Sequence, residues 1–262
     1  MVIRLGVLCF CWFGILCQAE DDPVPLVRAH AHNDYYHSRP LLDALEQGFC
    51  SVEADIFLIG DSLLVGHERR ELKPERTLQV LYLDPLRKRA QANNGRIHPN
   101  GPVFTLLIDI KTAGEATYRA LSKVLAGYPE LLCATIDGKF TQRAVSVIIS
   151  GNRATDIIAA ENPRFAGIDG RLSDLKSNMP PHLLPLISDR WGSHFKWRGE
   201  GDFPEMQRAK LKRIVKQAHA QGRRVRFWAT PEKVACWREL REAKVDLINT
   251  DDLAGLRKFL GQ

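Results

Sequence analysis

The feature that most constrains the fold is an alternation of short apolar stretches with longer segments of helical period. The stretches are residues 26–30, 51–58, 104–110, 145–150, 165–169, 184–188, 224–230 and 246–250. Such alternation is the pattern of repeated β/α units. The segments between them carry helix ends: Asp202, Pro204 and Glu205 precede an apolar stripe at Leu211, Ile214, Val215 and Ala218, and Gly222 stops it. A second helix is expected to start at Thr230-Pro231 and to present Val234, Trp237 and Leu240. Eight strands within residues 20–262 suit a closed ring better than an open doubly wound sheet, which would require a glycine-rich phosphate loop that is absent here. The expected fold is therefore α/β, a single (β/α)8 TIM-type barrel.

The first residues have a different character. Arg4 is followed by an uncharged apolar run over residues 5–17, too short to cross a bilayer comfortably. Cys17 and Ala19 stand at the −3 and −1 positions of a cut before Glu20, and acidic Glu20-Asp21-Asp22 follows. We expect residues 1–19 to be a cleaved signal peptide and the product to be exported to a periplasm or the exterior. Of the 6 cysteines, Cys50, Cys133 and Cys236 would remain, and an odd number allows at most one bridge. They are expected to be buried small hydrophobes. The net charge of +6 reads first as a solvated basic surface, and beyond that it would favour the approach of an anionic small molecule, a lipid headgroup or an anionic membrane surface as partner. The basic residues are dispersed without a long run, so nucleic acid is not expected.

Polar residues collect where strands should end. The first stretch runs into His30-Ala31-His32-Asn33-Asp34-Tyr35, the second contains Glu53-Ala54-Asp55, Leu63-Leu64-Val65 leads into Gly66-His67, and the third ends Asp109-Ile110-Lys111. Side chains alternate faces along a strand, so Glu53 and Asp55 point one way, as do Asp109 and Lys111. Val52, Ala54, Ile56, Ile108 and Ile110 should then face outer helices. Charged pairs inside a barrel are expensive unless they neutralise, pair or hold a metal. Asn33, Glu53, Asp55 and Asp109 make an oxygen-only set suited to one divalent cation, Mg²⁺ or Ca²⁺. His32 and His67 would flank it as acid and base, and Lys111 would meet a substrate phosphate.

The series His32-Asn33, Glu53-x-Asp55, His67, Asp109 resembles the catalytic series of the superfamily of glycerophosphodiester phosphodiesterases and phosphatidylinositol-specific phospholipases C. Val225-Arg226-Phe227-Trp228-Ala229-Thr230, a helix, and Val245-Asp246-Leu247-Ile248-Asn249-Thr250-Asp251-Asp252 are similar to the last two units of the glycerophosphodiesterase branch. In wording, the His-x-His-Asn-Asp-Tyr, Val-Glu-Ala-Asp and Leu-Leu-Val-Gly-His segments most resemble the branch of altered inheritance of mitochondria protein six. The resemblance implies metal-dependent cleavage of a glycerophosphodiester or phospholipid headgroup, with the two histidines as acid and base and the acidic residues holding the cation. Typical glycerophosphodiesterases have arginine after the first histidine, where this chain has Asn33, a feature that leans toward the phospholipase C branch.

Two other readings bear on the same residues. His30-Ala31-His32 also looks like the paired histidines of a zinc amidohydrolase or a related phosphoesterase barrel, whose sites need further histidines at later strand ends. None of His37, His67, His98, His182, His194 and His219 ends the stretches at Asp169 or Ser188. A barrel that binds a phosphorylated ligand without cleaving it would be expected to have lost a histidine or a carboxylate from the series, and all are present. Arg171 and Trp228 are candidates for a headgroup pocket, with Arg153, Asp169, Asp189 and Trp191 also near expected strand ends.

Overall fold

The structure is a computed structural model and describes residues 23–261, so the expected signal peptide and its cut before Glu20 lie outside the described residues. The strands are β1 (Leu26–Ala31), β2 (Phe49–Ile59), β3 (Ser62–Val65), β4 (Phe104–Ile110), β5 (Ala134–Ile136), β6 (Lys139–Thr141), β7 (Val145–Gly151), β8 (Ala166–Gly170), β9 (Leu186–Arg190), β10 (Arg224–Trp228) and β11 (Leu247–Thr250). Eight of them, β1, β2, β4, β7, β8, β9, β10 and β11, pair side by side in that order, all parallel. Because β1 pairs with both β2 and β11, the ring closes and leaves no free edge. This is the expected barrel. Outside the ring, β3 folds back antiparallel on the end of β2, and β5 and β6 form a separate hairpin.

Helices α1 (Leu42–Glu46), α2 (Asp84–Ala92), α3 (Gly114–Leu125), α4 (Thr155–Ala160), α5 (Trp191–His194), α6 (Glu205–His219), α7 (Val234–Glu242) and α8 (Leu253–Leu260) lie in the connections. They pack on the outward residues of the strands: Val52, Ala54, Ile56, Leu106, Ile108, Ile110, Val147 and Ile149 belong to one outer core. Each such valine, leucine or isoleucine side chain removed from water contributes roughly 1.5–3 kcal/mol. On α6, Leu211, Ile214, Val215 and Ala218 are the buried face, as the stripe predicts.

Two boundaries differ from the sequence reading for local reasons. β9 starts at Leu186 because Pro185 has no N–H to give to a ladder, although its carbonyl accepts from Arg224 N at 2.9 Å. β10 ends at Trp228 because Ala229 takes a left-handed φ of 51°. Lys233 is still extended, so α7 begins at Val234, which is half exposed, while Trp237 and Leu240 are buried as expected.

The inside of the ring is unlike its outside. Only Leu107, Ile148, Leu186 and Leu247 form an inner apolar cluster. Above it the strands turn polar residues inward, among them His30, Glu53, Asp55, Asp169, Arg226 and Asn249, all buried. The apolar plug closes the barrel axis, so the polar groups open only toward the C-terminal ends of the strands. Cys50, Cys133 and Cys236 are buried and unpaired.

Candidate active site

At that end lies a cavity of about 550 Å³. His32, Asn33, Glu53, Asp55, His67, Asp109, Lys111, Arg171 and Trp228 all line it, so the residues singled out from sequence meet in one place.

The acidic group is built by strand register. β2 and β4 pair with Asp55 opposite Asp109, and Glu53 stands two residues earlier on the same face as Asp55. One carboxylate oxygen from each of the three lies within 4.8 Å of the others. Asp55 Oδ2 accepts from Tyr35 Oη at 2.8 Å and lies 3.0 Å from both Lys111 Nζ and His67 Nδ1. Asp55 Oδ1 is buried with no partner at all. A buried carboxylate oxygen left unbonded is costly. Its setting beside two more carboxylates fits an oxygen-liganded cation of the Mg²⁺ or Ca²⁺ kind. Gly151, at the end of β7, makes room for this group: its φ is +69°, and a Cβ there would sit 1.9 Å from Asp109 Oδ1.

The electrostatics agree with that geometry. Burial pushes Asp109 up to about 6, with Asp55 and Glu53 adding repulsion against the pull of Lys111. Burial and the Glu53 charge likewise raise Asp55. Lys111 is desolvated, yet the facing Asp55 and Asp109 charges outweigh this and raise its pKa. Glu53 differs. Burial opposes its ionisation, but the Arg226 guanidinium bonded to its Oε2 holds it well below the ordinary range. Arg226 is itself fixed by Asn249 Oδ1 at 2.7 Å. His30 sits beneath, with Nδ1 2.6 Å from Ser51 Oγ and Nε2 3.4 Å from Glu53 Oε2. Burial, helped by Arg226, lowers its pKa to about 3, so His30 is a neutral buttress for Glu53.

The two histidines arrive by different routes. His32 follows β1, and its Nδ1 lies 2.9 Å from Asp251 Oδ1, just past β11. Asn33 Nδ2 lies at the same 2.9 Å from this nitrogen, and in the tautomer whose Nδ1 proton goes to Asp251, Nε2 is left for the cavity. Desolvation works against its protonation, but the bond to Asp251 and the charge of Glu53 raise its pKa above the usual value. His67 follows β3, the short apolar Leu63-Leu64-Val65 stretch, which lies outside the ring in a hairpin folded back on β2. Its backbone N–H donates to Glu71 Oε2 at 2.9 Å, and its Nδ1 is 3.2 Å from Tyr35 Oη. Asn33 lies between these groups, with its amide oxygen 2.7 Å from Tyr35 Oη. Burial and the Asp55 charge raise the Tyr35 phenol, which therefore stays a hydrogen-bond donor.

Arg171 reaches back to Asp169 Oδ2 at 2.9 Å and faces the cavity from the far side. Trp228 forms the adjoining wall. Trp191 is not in the cavity: it is fully buried in the outer core, with its ring 4.2 Å from that of Phe195. Asp189 faces His194 Nε2 at 3.1 Å, and Arg153 is bonded to the carbonyl of Asp169. Sequence reasoning missed Arg226, Tyr35 and Asp251. Arg226 was detectable, since Arg224, Arg226 and Trp228 share a face by the same two-residue period that marks Glu53 and Asp55.

Residues 19–166 match the AIM6-like phosphodiesterase domain, and residues 224–254 match the glycerophosphoryl diester phosphodiesterase family. Altered inheritance of mitochondria protein 6 of Eremothecium gossypii is 32% identical over 276 residues, which cover 92% of this chain and 71% of that protein. The protein of the same name from Saccharomyces cerevisiae is 30% identical, covering 88% of this chain and 70% of its own. The barrel is similar to the crystal structure of a glycerophosphodiester phosphodiesterase from Parabacteroides distasonis, with a TM-score of 0.55 at 17% identity, over 89% of this chain and 96% of that one. A second such enzyme, from Agrobacterium tumefaciens, gives 0.53 at 16% identity, over 90% of this chain and 100% of that one. At those identities the likeness concerns the fold. The sequence matches go further: the chain belongs to the AIM6-like phosphodiesterase domain family, within the superfamily of phospholipase C-like phosphodiesterases.

Proposed function

We propose that the protein cleaves a phosphodiester in a glycerophosphodiester or phospholipid headgroup, with Mg²⁺ or Ca²⁺ held by Glu53, Asp55 and Asp109 and with Asn33 at the edge of that group. The observation that carries this reading is the unbonded Asp55 Oδ1, buried among carboxylates in the cavity that both histidines line. A bound cation would polarise a phosphoryl oxygen and lower the pKa of an attacking hydroxyl. Lys111 places a further positive charge beside the phosphoryl group. One of His32 and His67 takes the proton of the nucleophile and the other gives a proton to the leaving oxygen, so activity should be bell-shaped in pH. Asp251 holds His32 in the tautomer that offers Nε2. Ser150 lines the cavity, but its hydroxyl donates to Asp169 Oδ2 at 2.8 Å, so it is not set up as a nucleophile. Attack therefore comes from water or from a hydroxyl of the substrate. A vicinal hydroxyl would act at high effective concentration and form a cyclic phosphate.

The test is a screen of the purified protein on glycerophosphodiesters, phosphatidylinositol, lysophospholipids and sphingomyelin, with and without EDTA, beside Asp109→Asn. Phosphodiester cleavage that survives both chelation and the substitution would overturn the metal assignment. Phosphorus NMR of the first turnovers separates the two nucleophiles, since only the internal one produces a cyclic phosphate. A zinc site of imidazoles is disfavoured because His30 is spent on Ser51 and Glu53. Export by a signal peptide remains part of the proposal, and intact mass of secreted material should give a chain starting at Glu20.

A further inference from the structure

Beside the catalytic cavity, and sharing Ala229 with it, lies a second opening of about 290 Å³. Arg190, Gly192, Ser193, Arg198 and Thr230 line it. Three observations set it apart from ordinary surface. Among the described residues neither the Arg190 nor the Arg198 guanidinium has a carboxylate partner: Asp189 accepts from the Arg190 backbone N–H at 3.0 Å, and Glu200 pairs with Lys233 at 2.6 Å. Thr230 is only 9% exposed, and its hydroxyl is buried with no hydrogen-bond partner. The chain reaches Thr230 through Ala229, a non-glycine residue at φ 51°, an unfavourable conformation of the kind found where geometry serves a site. Gly192 adds a close approach, since a Cβ there would lie 3.3 Å from Arg198 Nη2. Two unpaired guanidiniums and an idle hydroxyl form a donor set for a tetrahedral oxyanion.

We propose that this opening binds a phosphomonoester carried by the substrate, so that the preferred phosphodiester has an additional phosphate on its head group. The inference rests on the phosphodiesterase reading and names the substrate class for it. Trp228 links the two openings: its indole lines the catalytic cavity, and Arg190 lies 5.8 Å over its ring. A head group resting on that indole would have its phosphodiester near Lys111 and its second phosphate near Arg190 and Arg198. No bond is made or broken in the second opening.

The experiment compares glycerophosphoinositol 4-phosphate with glycerophosphoinositol in wild type, Arg190→Gln and Arg198→Gln. Both arginines are exposed and outside ion pairs, so the variants should fold. The wild type should favour the phosphorylated probe about tenfold or more in kcat/KM, mainly through KM, and each variant should reduce that ratio severalfold. Vesicles containing phosphatidylinositol 4-phosphate or phosphatidylinositol form a second arm. A preference seen only on vesicles assigns the phosphate to a lipid headgroup, and one seen on the soluble pair assigns it to a free diester. A wild-type ratio near one in both arms, or a ratio unchanged in both variants, overturns the proposal. Inorganic phosphate, titrated calorimetrically into Lys111→Met with and without Arg198→Gln, reads binding apart from turnover. Loss of phosphate binding in the Arg198→Gln protein without cleavage of any probe would uphold this site and refute the catalytic reading. Cleavage of both probes at equal rates would do the reverse.

Discussion

Two aspartates, Asp55 on β2 and Asp169 on β8, are each 1% exposed inside the same ring, three strands apart, and they are finished very differently. Asp169 has both oxygens occupied: Ser188 Oγ is 2.6 Å from each, and Ser150 and Arg171 add bonds to Oδ2. Asp55 has three partners crowded on Oδ2 and none on Oδ1. A group whose bonds are complete fixes the wall of a barrel. A group left incomplete in a buried acidic cluster is suited to hold a cation. The difference separates the side of the cavity that would hold a cation from the side that shapes the substrate pocket.

Substitutions that remove charge without changing size should break that contrast most sharply. Asp55→Asn and Asp109→Asn are expected to lower kcat/KM by about a thousandfold or more and to weaken Mg²⁺ or Ca²⁺ binding in calorimetry, with little change in melting temperature. Asp169→Asn should do the opposite, keeping cation binding while losing about 2–3 kcal/mol of stability in urea unfolding, because it weakens bonds to a charged group. Equal melting behaviour of the Asp55 and Asp169 variants would erase the distinction. His32→Ala and His67→Ala should each reduce kcat by about 10²–10⁴ without touching cation affinity.

Glu53 tests the boundary between the two behaviours, since it belongs to the acidic group and also neutralises buried Arg226. Glu53→Gln should therefore lose activity and also about 3–5 kcal/mol of stability, as an unpaired buried guanidinium is left behind. Combining it with Arg226→Met should restore much of the stability but none of the activity. The smallest effect is a control lying off both walls. Burial pushes the Cys50 and Cys236 thiols up to about 12 from an ordinary 9.0. Between these values the folded chain keeps protons that the unfolded chain has lost, so stability should fall as pH rises through that window and be indifferent below it. The alkaline loss should be the same in wild type and in the Asp55 and Asp169 variants, and a thiol reagent at pH 8 should not modify Cys50, Cys133 or Cys236 before unfolding.

The barrel and most of the candidate site were legible because both depend on short-range periodicity. The two-residue repeat placed Glu53, Asp55, Asp109 and Lys111 on inner faces and Val52, Ala54, Ile108 and Ile110 on outer ones. What escaped depends on ring closure. Asp251 meets His32 only because β11 returns to pair with β1, a contact spanning 219 positions that leaves no local trace. Tyr35 stood in the quoted segment without a role, and its bond to Asp55 exists only once β2 is in place. The short apolar Leu63-Leu64-Val65 stretch was left out of the eight strands, but nothing in its residues shows that it folds back antiparallel on β2.

That hairpin makes the two histidines unequal in a way that concerns the energetics of partial opening. His32 is anchored in a closed ring where no strand can detach without global unfolding. β3 joins the sheet only through β2, over four residues, with a further bridge from Leu64 to Thr77, and although Leu63 and Val65 are buried, a strand held in the sheet on one side is expected to open before the ring does. Amide exchange at Leu63–Val65 should therefore be faster than in β1, and on heating the proposed acid–base pair should be dismantled while the barrel is still intact. The thermal limit of activity would then be set by a four-residue flap rather than by the fold.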